Sequence, residues 1–433
     1  MFLYFTYDEK SSSKLNQFIY YTILCYIISF YIKDIPAITN ALTLLLFTIV
    51  WFSKTARKNF FNFSKNKINF GIILFFVIQI ASWLYSEDKA TGFDILQRRL
   101  PLLILPLAFC LIDFNEKTWR KILIFFAFLT SFASLLGFAF GIYNTLKYHD
   151  TGYLYNDNIS TFLFGIQAVY FAFYVNIAVI IFLYLLTYKS DDFRKFKGLM
   201  IFSIIWLLFI NFMLASKMAM VSLLIIILLM TFKYILSNKK YFEGIIIIMS
   251  LFIALFIVNK LSPKTFNRFK GITHTSFQFD NTKAENHFNA DFDESKWNST
   301  NTRIAIWQCG LDIFKANFIF GTGLGDRDKA LQNEYSKKQF VYAIETEKNT
   351  HNQFLDIAVS MGIIGVMVFI FVFFVYPIKV FFQQKQSFAI FVFMCLALCL
   401  LTENMFNRYE GQIFISFILP LSAKIFDSRK IID

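Results

Sequence analysis

The chain has 433 residues, 57% of them hydrophobic and 59 of them phenylalanine, with a mean hydropathy of +0.54. This composition excludes an ordinary soluble domain and describes a polytopic helical membrane protein. The formal charge of +13 is scattered between apolar runs, as a topology signal is, so nucleic acid is not an expected partner.

Taken in order, the sequence holds about twelve apolar stretches on the scale of a membrane span. They lie near 17–32, 36–53, 69–85, 101–113, 120–142, 162–187, 199–214, 217–236, 243–259, 352–376, 387–402 and 412–427. The first apolar run, preceded by the polar stretch 8–14, is long enough to stay as a membrane anchor, and no cleaved leader is expected. The 101–113 run is short and opens at Pro101, a residue suited to a first helical turn. Only Asn211, Ser216 and Lys217 break the 199–236 region. The five cysteines show no spacing for a disulfide framework or a zinc site, and no metal or cofactor is expected.

Lysine and arginine counting orients the scheme. With the N-terminus inside, the inner segments hold 22 basic residues and the short outer segments 7, leaving 13 in one long segment. Both termini are therefore expected in the cytoplasm. The expected fold is an all-α polytopic membrane protein of about 12 transmembrane helices with a large, partly helical periplasmic loop before the tenth. Residues 1–258 hold helices one to nine, 259–350 form the loop domain, and 351–433 hold helices ten to twelve and a cytoplasmic tail.

Within the loop, 273–301 has no periodicity and reads as an irregular loop or a mobile lid. A helix is expected over 302–316, capped by Ser299, Thr300 or Asn301, with Ile304, Trp307, Leu311 and Phe314 as its apolar stripe. Arg303 opens it on the Trp307 side. The Gly321-x-Gly323-x-Gly325 run follows a helix and not a strand, so it reads as a tight turn and not as a dinucleotide fingerprint.

Four histidines are present. His149, His274 and His287 fall in polar segments and read as surface residues. His351 stands where the loop becomes the tenth span, at about its first helical position, with Asn349 or Thr350 as the cap. The positive end of a helix disfavours imidazolium, so the ring there can accept a proton as a general base or, alternatively, merely anchor the helix end. Asn352, Asp356 and Ser360 follow at intervals of four and predict a polar stripe facing the bundle interior or a wet cavity. Arg303, Lys217, Arg98, Arg99 and Arg408 are expected near the outer face, where each reads either as an interfacial anchor or snorkelling side chain or, together, as guanidinium and ammonium groups suited to a lipid-linked pyrophosphate.

His351-Asn-x-Phe354-Leu355 with Gly362-x-x-Gly365, preceded by Arg303-x-x-x-Trp307 and Phe320-Gly-x-Gly-x-Gly325, resembles the O-antigen ligase and polymerase superfamily of bacterial envelope proteins. Ala215-Ser-Lys-Met-Ala219 looks like that family's Ser-Arg-Gly-Ala segment, and Leu401-Thr-Glu403-Asn404 with Arg408 and Gly411 looks like its closing region. The resemblance implies a metal-independent, inverting glycosyltransferase in the inner membrane with a periplasmic site. Its donor would be an undecaprenyl-pyrophosphate-linked glycan and its acceptor a hydroxyl, on the lipid A-core or elsewhere. His351 would be the base and Arg303 the pyrophosphate holder. Lys217 stands where the family has arginine, with Arg98 and Arg99 able to share its task; Asn352, Asp356, Trp307 and Arg408 would support. An O-antigen or capsule polymerase and a protein O-oligosaccharyltransferase use the same donor chemistry, and a twelve-span secondary transporter shares the topology.

Overall fold

The computed structural model describes residues 5–7, 14–32, 35–53, 67–187, 195–246, 249, 256, 272–286, 293–384 and 386–427. Among them the chain is helical and no strand forms. The helices are α1 (Lys14–Ser29), α2 (Pro36–Trp51), α3 (Lys67–Tyr85), α4 (Lys89–Arg98), α5 (Pro101–Leu111), α6 (Glu116–Tyr148), α7 (Asp157–Phe164), α8 (Ala168–Thr187) and α9 (Lys197–Met213). They continue as α10 (Lys217–Asn238), α11 (Asn301–Ala316), α12 (Arg327–Lys337), α13 (Val341–Glu345), α14 (Gln353–Ile370), α15 (Tyr376–Gln383), α16 (Ser387–Leu400) and α17 (Tyr409–Asp427).

Among the described residues, five helical stretches are long and apolar enough to cross a membrane: α3, α6, α8, α10 and the run Gln353–Gln383. The α2, α9 and α16 helices are apolar but shorter. The expected ninth span, 243–259, lies mostly outside the described residues, as does His287. The short 101–113 stretch is the second half of a broken unit. Arg99 and Leu100 separate it from α4, and Pro101 opens α5, since proline tolerates the first helical turn.

The largest departure from expectation concerns the tenth span. Read from sequence, 352–376 is one straight helix. In the structure Gly362 leaves the helical region, at φ 61° and ψ −162°, and the chain doubles back. The Phe354 ring sits 5.4 Å from Phe369 and 5.7 Å from Phe374. On a straight helix Phe354 and Phe369 would stand roughly 22 Å apart. The element is a hairpin with a short arm, 353–361, and a long arm, 363–383.

Breaking a helix frees backbone carbonyls, and the glycine turn of the loop segment satisfies them. The Thr322 and Gly323 amides donate to the Val359 and Ser360 carbonyls at 2.8 and 3.0 Å, and Ile363 returns a bond to Phe318 at 2.8 Å. Gly321 and Gly362, both at positive φ, meet backbone to backbone, and a Cβ on either would collide with the opposite segment. The three-glycine run is therefore a turn, as expected, and the amides of Thr322 and Gly323 are committed to protein carbonyls.

The loop segment carries its own core around Trp297, Phe340, Tyr335 and Cys309, which also takes in Leu355, Ala358 and Val359 of the short arm. Its 273–301 portion is irregular as expected, but its described part is packed: Trp297 is fully buried against Phe340 and Phe277. The stripe expected on α11 is displaced. Ala305, Ile306, Cys309 and Ile313 are its buried face, whereas Leu311 is exposed, because the helix packs between the short arm and α12. The cap also moves back: the Asn298 side chain accepts from the Thr300 and Asn301 amides, and the Asn301 side chain accepts from the Asn298 amide. This reciprocal pairing is a capping box built from two asparagines.

Candidate active site at the base of the hairpin

His351 does not open a helix. Asn352 is the cap of α14, its side-chain oxygen accepting from the Phe354 and Leu355 amides at 2.9 and 3.1 Å. His351 precedes it in a left-handed conformation, φ 44°, held by a bond from its amide to the Asn349 side chain at 2.9 Å. Trp307 supports the same bend by donating its indole N–H to the Thr350 carbonyl at 3.0 Å. The imidazole is 29% exposed, enough to meet a ligand.

Its neighbour is Glu403, from the connection between α16 and α17. Glu403 Oε2 lies 3.6 Å from His351 Nδ1, and Oε1 accepts from Arg303 Nη2 at 2.6 Å. The carboxylate thus bridges the two residues expected to do chemistry. Nδ1 itself is buried and at that spacing forms no hydrogen bond. Burial pushes the Glu403 carboxyl up, but the His351 ring and the Arg303 guanidinium outweigh it and hold the group below the ordinary carboxylate range.

Lys217 completes the group. It is the first residue of α10, after a turn in which Ala215 adopts positive φ, and its ammonium donates to Ser299 Oγ at 2.7 Å. Lys217, Ser299, Arg303, Thr402 and Glu403 line one cavity of about 150 Å³. His351 lies behind Glu403 and does not line it.

A second polar cluster stands beside the first. Asp356, 1% exposed, accepts from Arg327 Nη1 at 3.0 Å, Asn407 at 3.0 Å and Asn404 at 3.1 Å, with Arg99 Nη2 at 3.8 Å. Arg99 was expected at a donor phosphate, but it is buried and its nitrogens donate to Gln79, Asn407 and the Phe406 carbonyl. Arg99 is therefore committed to the interior. Burial works against the Arg327 charge, yet Asp356 and Asp328 raise its pKa above the ordinary value. Asn404 links the two clusters, donating to Thr350 Oγ1 at 2.8 Å as well as to Asp356.

The remaining candidates scatter. Arg98 is exposed and its carbonyl accepts from Gln412, while Arg408 is exposed beside Tyr170. His149 ends α6 at the surface, and His274 is 2.8 Å from Glu294. Sequence reasoning placed Glu403 in a family-like segment without giving it a role, and it did not reach Arg327. An acidic residue bounding an apolar span was the available signal for Glu403; Arg327 sits in a polar helix where nothing sets it apart.

Residues 202–370 match the family model described as O-antigen ligase. That stretch is similar to the O-antigen ligase family. No curated protein matches the chain at a significant level. The ligase match runs from α9 into the long arm of the hairpin, so it contains Lys217, Arg303 and His351, while Glu403 lies beyond it. Members of that family are glycosyltransferase-like enzymes that handle a lipid-linked glycan and an acceptor.

Proposed function

We propose that the chain transfers a glycan from undecaprenyl pyrophosphate to an acceptor hydroxyl, such as a lipid A-core sugar, at the periplasmic face of the inner membrane. The observation that carries this reading is the Glu403 carboxylate bridging His351 and Arg303 beside a cavity lined by Lys217. The acceptor oxygen attacks the anomeric carbon as the bond from that carbon to the phosphate oxygen breaks, inverting the centre. The leaving polyprenyl pyrophosphate keeps the electron pair, and Arg303 and Lys217 stabilise its charge. The acceptor proton passes to His351 Nε2, while Glu403 on the Nδ1 side orients the ring and balances the imidazolium that forms.

The cavity suits the pyrophosphate alone, since pockets for whole ligands are roughly 300–1,000 Å³. Topology belongs to the same proposal: both termini in the cytoplasm, twelve spans, and residues 259–350 outside, so a membrane-impermeant amine reagent should label Lys296 in intact spheroplasts.

The test uses lipid-linked glycans extracted from a deletion strain carrying either the wild-type chain or His351→Ala. Full-length polymer left on the lipid carrier with the variant supports the ligase reading. Single repeat units would reassign it to polymerisation, and an unchanged pool would overturn glycosyl transfer altogether.

A further inference from the structure

The α3 helix carries its own ruler. Its exposed residues, Phe70, Leu74, Val77, Ala81 and Leu84, follow one another at helical spacing and are all apolar, between exposed Lys67 and Glu87. Nineteen residues of helix span about 28 Å, close to the ~30 Å hydrocarbon thickness of a bilayer. The upper edge of that stripe is Tyr85, whose hydroxyl donates to the Phe320 carbonyl of the glycine turn. Exposed Ile364 and Met367 on the long arm reach the same turn, because Ile363 is bonded to Phe318.

At that junction the loop segment presents Phe318, Ile319 and Phe320 in succession, 51%, 55% and 61% exposed. We propose that this three-residue tip is a membrane-contacting surface, seated in the acyl-chain region just inside the edge of the bilayer where the α3 stripe ends. Continuity supplies the argument: the tip extends two helix faces that are already apolar and exposed, and Tyr85 ties it to the level where the stripe ends. Non-helical backbone at such depth is tolerated only where its polar groups are satisfied by protein, and the hairpin break meets that condition through its bonds to residues 318, 322 and 323.

A consequence for the site follows. The short arm runs back from Gly362 for nine residues, about 13 Å, so the His351 end is recessed beneath the plane of the tip. A lipid-linked headgroup would meet the cations inside the bilayer's thickness and need not be lifted out of it. That last step rests on the proposed function; the lipid contact does not.

The experiment places a nitroxide at Ile319→Cys, in a Cys25→Ser background reconstituted into phosphatidylcholine–phosphatidylglycerol vesicles. Val77→Cys serves as the lipid reference and Lys337→Cys as the water reference. Power saturation with oxygen and with a neutral nickel chelate reads depth. The expected result is an oxygen-to-nickel ratio on the Val77 side of the scale. A ratio equal to that at Lys337, or a label shielded from both relaxers by covering protein, overturns the proposal. If Ile319→Cys does not give a monodisperse protein, Phe318→Cys reads the same surface. None of these outcomes depends on catalysis, so failure here and failure of the glycosyltransferase reading are separable.

Discussion

Two clusters of carboxylate and basic residues stand side by side in this chain, and they differ in what they face. Around Asp356, the carboxylate and both neighbouring arginines are saturated by protein partners and closed to solvent. Around Glu403, the spacing to His351 is 3.6 Å, the ring is partly open, and a lysine and an arginine face a cavity. Satisfied buried charge organises a fold, whereas charge that lines a cavity is where a substrate belongs. The family-like motifs contain members of both clusters, so motif membership alone does not separate them.

That contrast can be broken or sharpened by substitution. The largest effect is expected for His351→Ala, a loss of transfer on the order of 10²–10⁴-fold with the protein still folded in the membrane, measured by glycan transfer against protein level. Asp356→Ala should behave oppositely. It leaves Arg99 and Arg327 buried without their carboxylate, at a cost of about 3–5 kcal/mol, read as a fall in unfolding temperature in detergent. If Asp356→Ala unfolded normally and lost only activity, the division between the clusters would be wrong.

Arg303→Lys keeps the charge but removes the planar fork, so transfer should drop roughly tenfold, about 1.4 kcal/mol, chiefly through weaker donor binding in titrations of lipid pyrophosphate. Glu403→Gln supplies a pH signature. Because the native carboxyl titrates below its ordinary value, its contribution to stability is complete above that value and disappears as pH falls through the native one. The gap in unfolding temperature between wild type and Glu403→Gln should therefore be constant from neutrality to about pH 5 and close below about pH 4.3. The smallest change is expected from Ser299→Ala, which removes one hydrogen bond to Lys217 and should alter transfer by about 1 kcal/mol or less.

The class of the chain was legible because composition and run length are local properties; Lys217 and His351 could be chosen because charges and histidines at the ends of apolar spans are conspicuous, and Arg303 because it opens an amphipathic helix beside Trp307. The hairpin was not legible. Nothing in Ile357–Val368 departs from the pattern of a straight span except Gly362 and Gly365, and glycines are common in membrane helices. The break exists because a turn forty residues earlier supplies partners for its carbonyls, and such long-range satisfaction leaves no periodic trace. The same holds for the Asn352 cap: Asn349, Thr350 and Asn352 are all competent, and the choice was made by the bonds that Trp307 and Asn404 form to Thr350.

The hairpin also bears on how the protein is made. The turn at 318–323 leaves the ribosome before the carbonyls it receives, so the short arm can find its partners as soon as it is synthesised. Glu403 emerges some fifty residues after His351, ahead of the closing helix α17. A chain stopped before residue 403 would carry the whole matched stretch and still lack the carboxylate that stands between His351 and Arg303. Completion of the site thereby waits on a residue synthesised after the whole matched stretch.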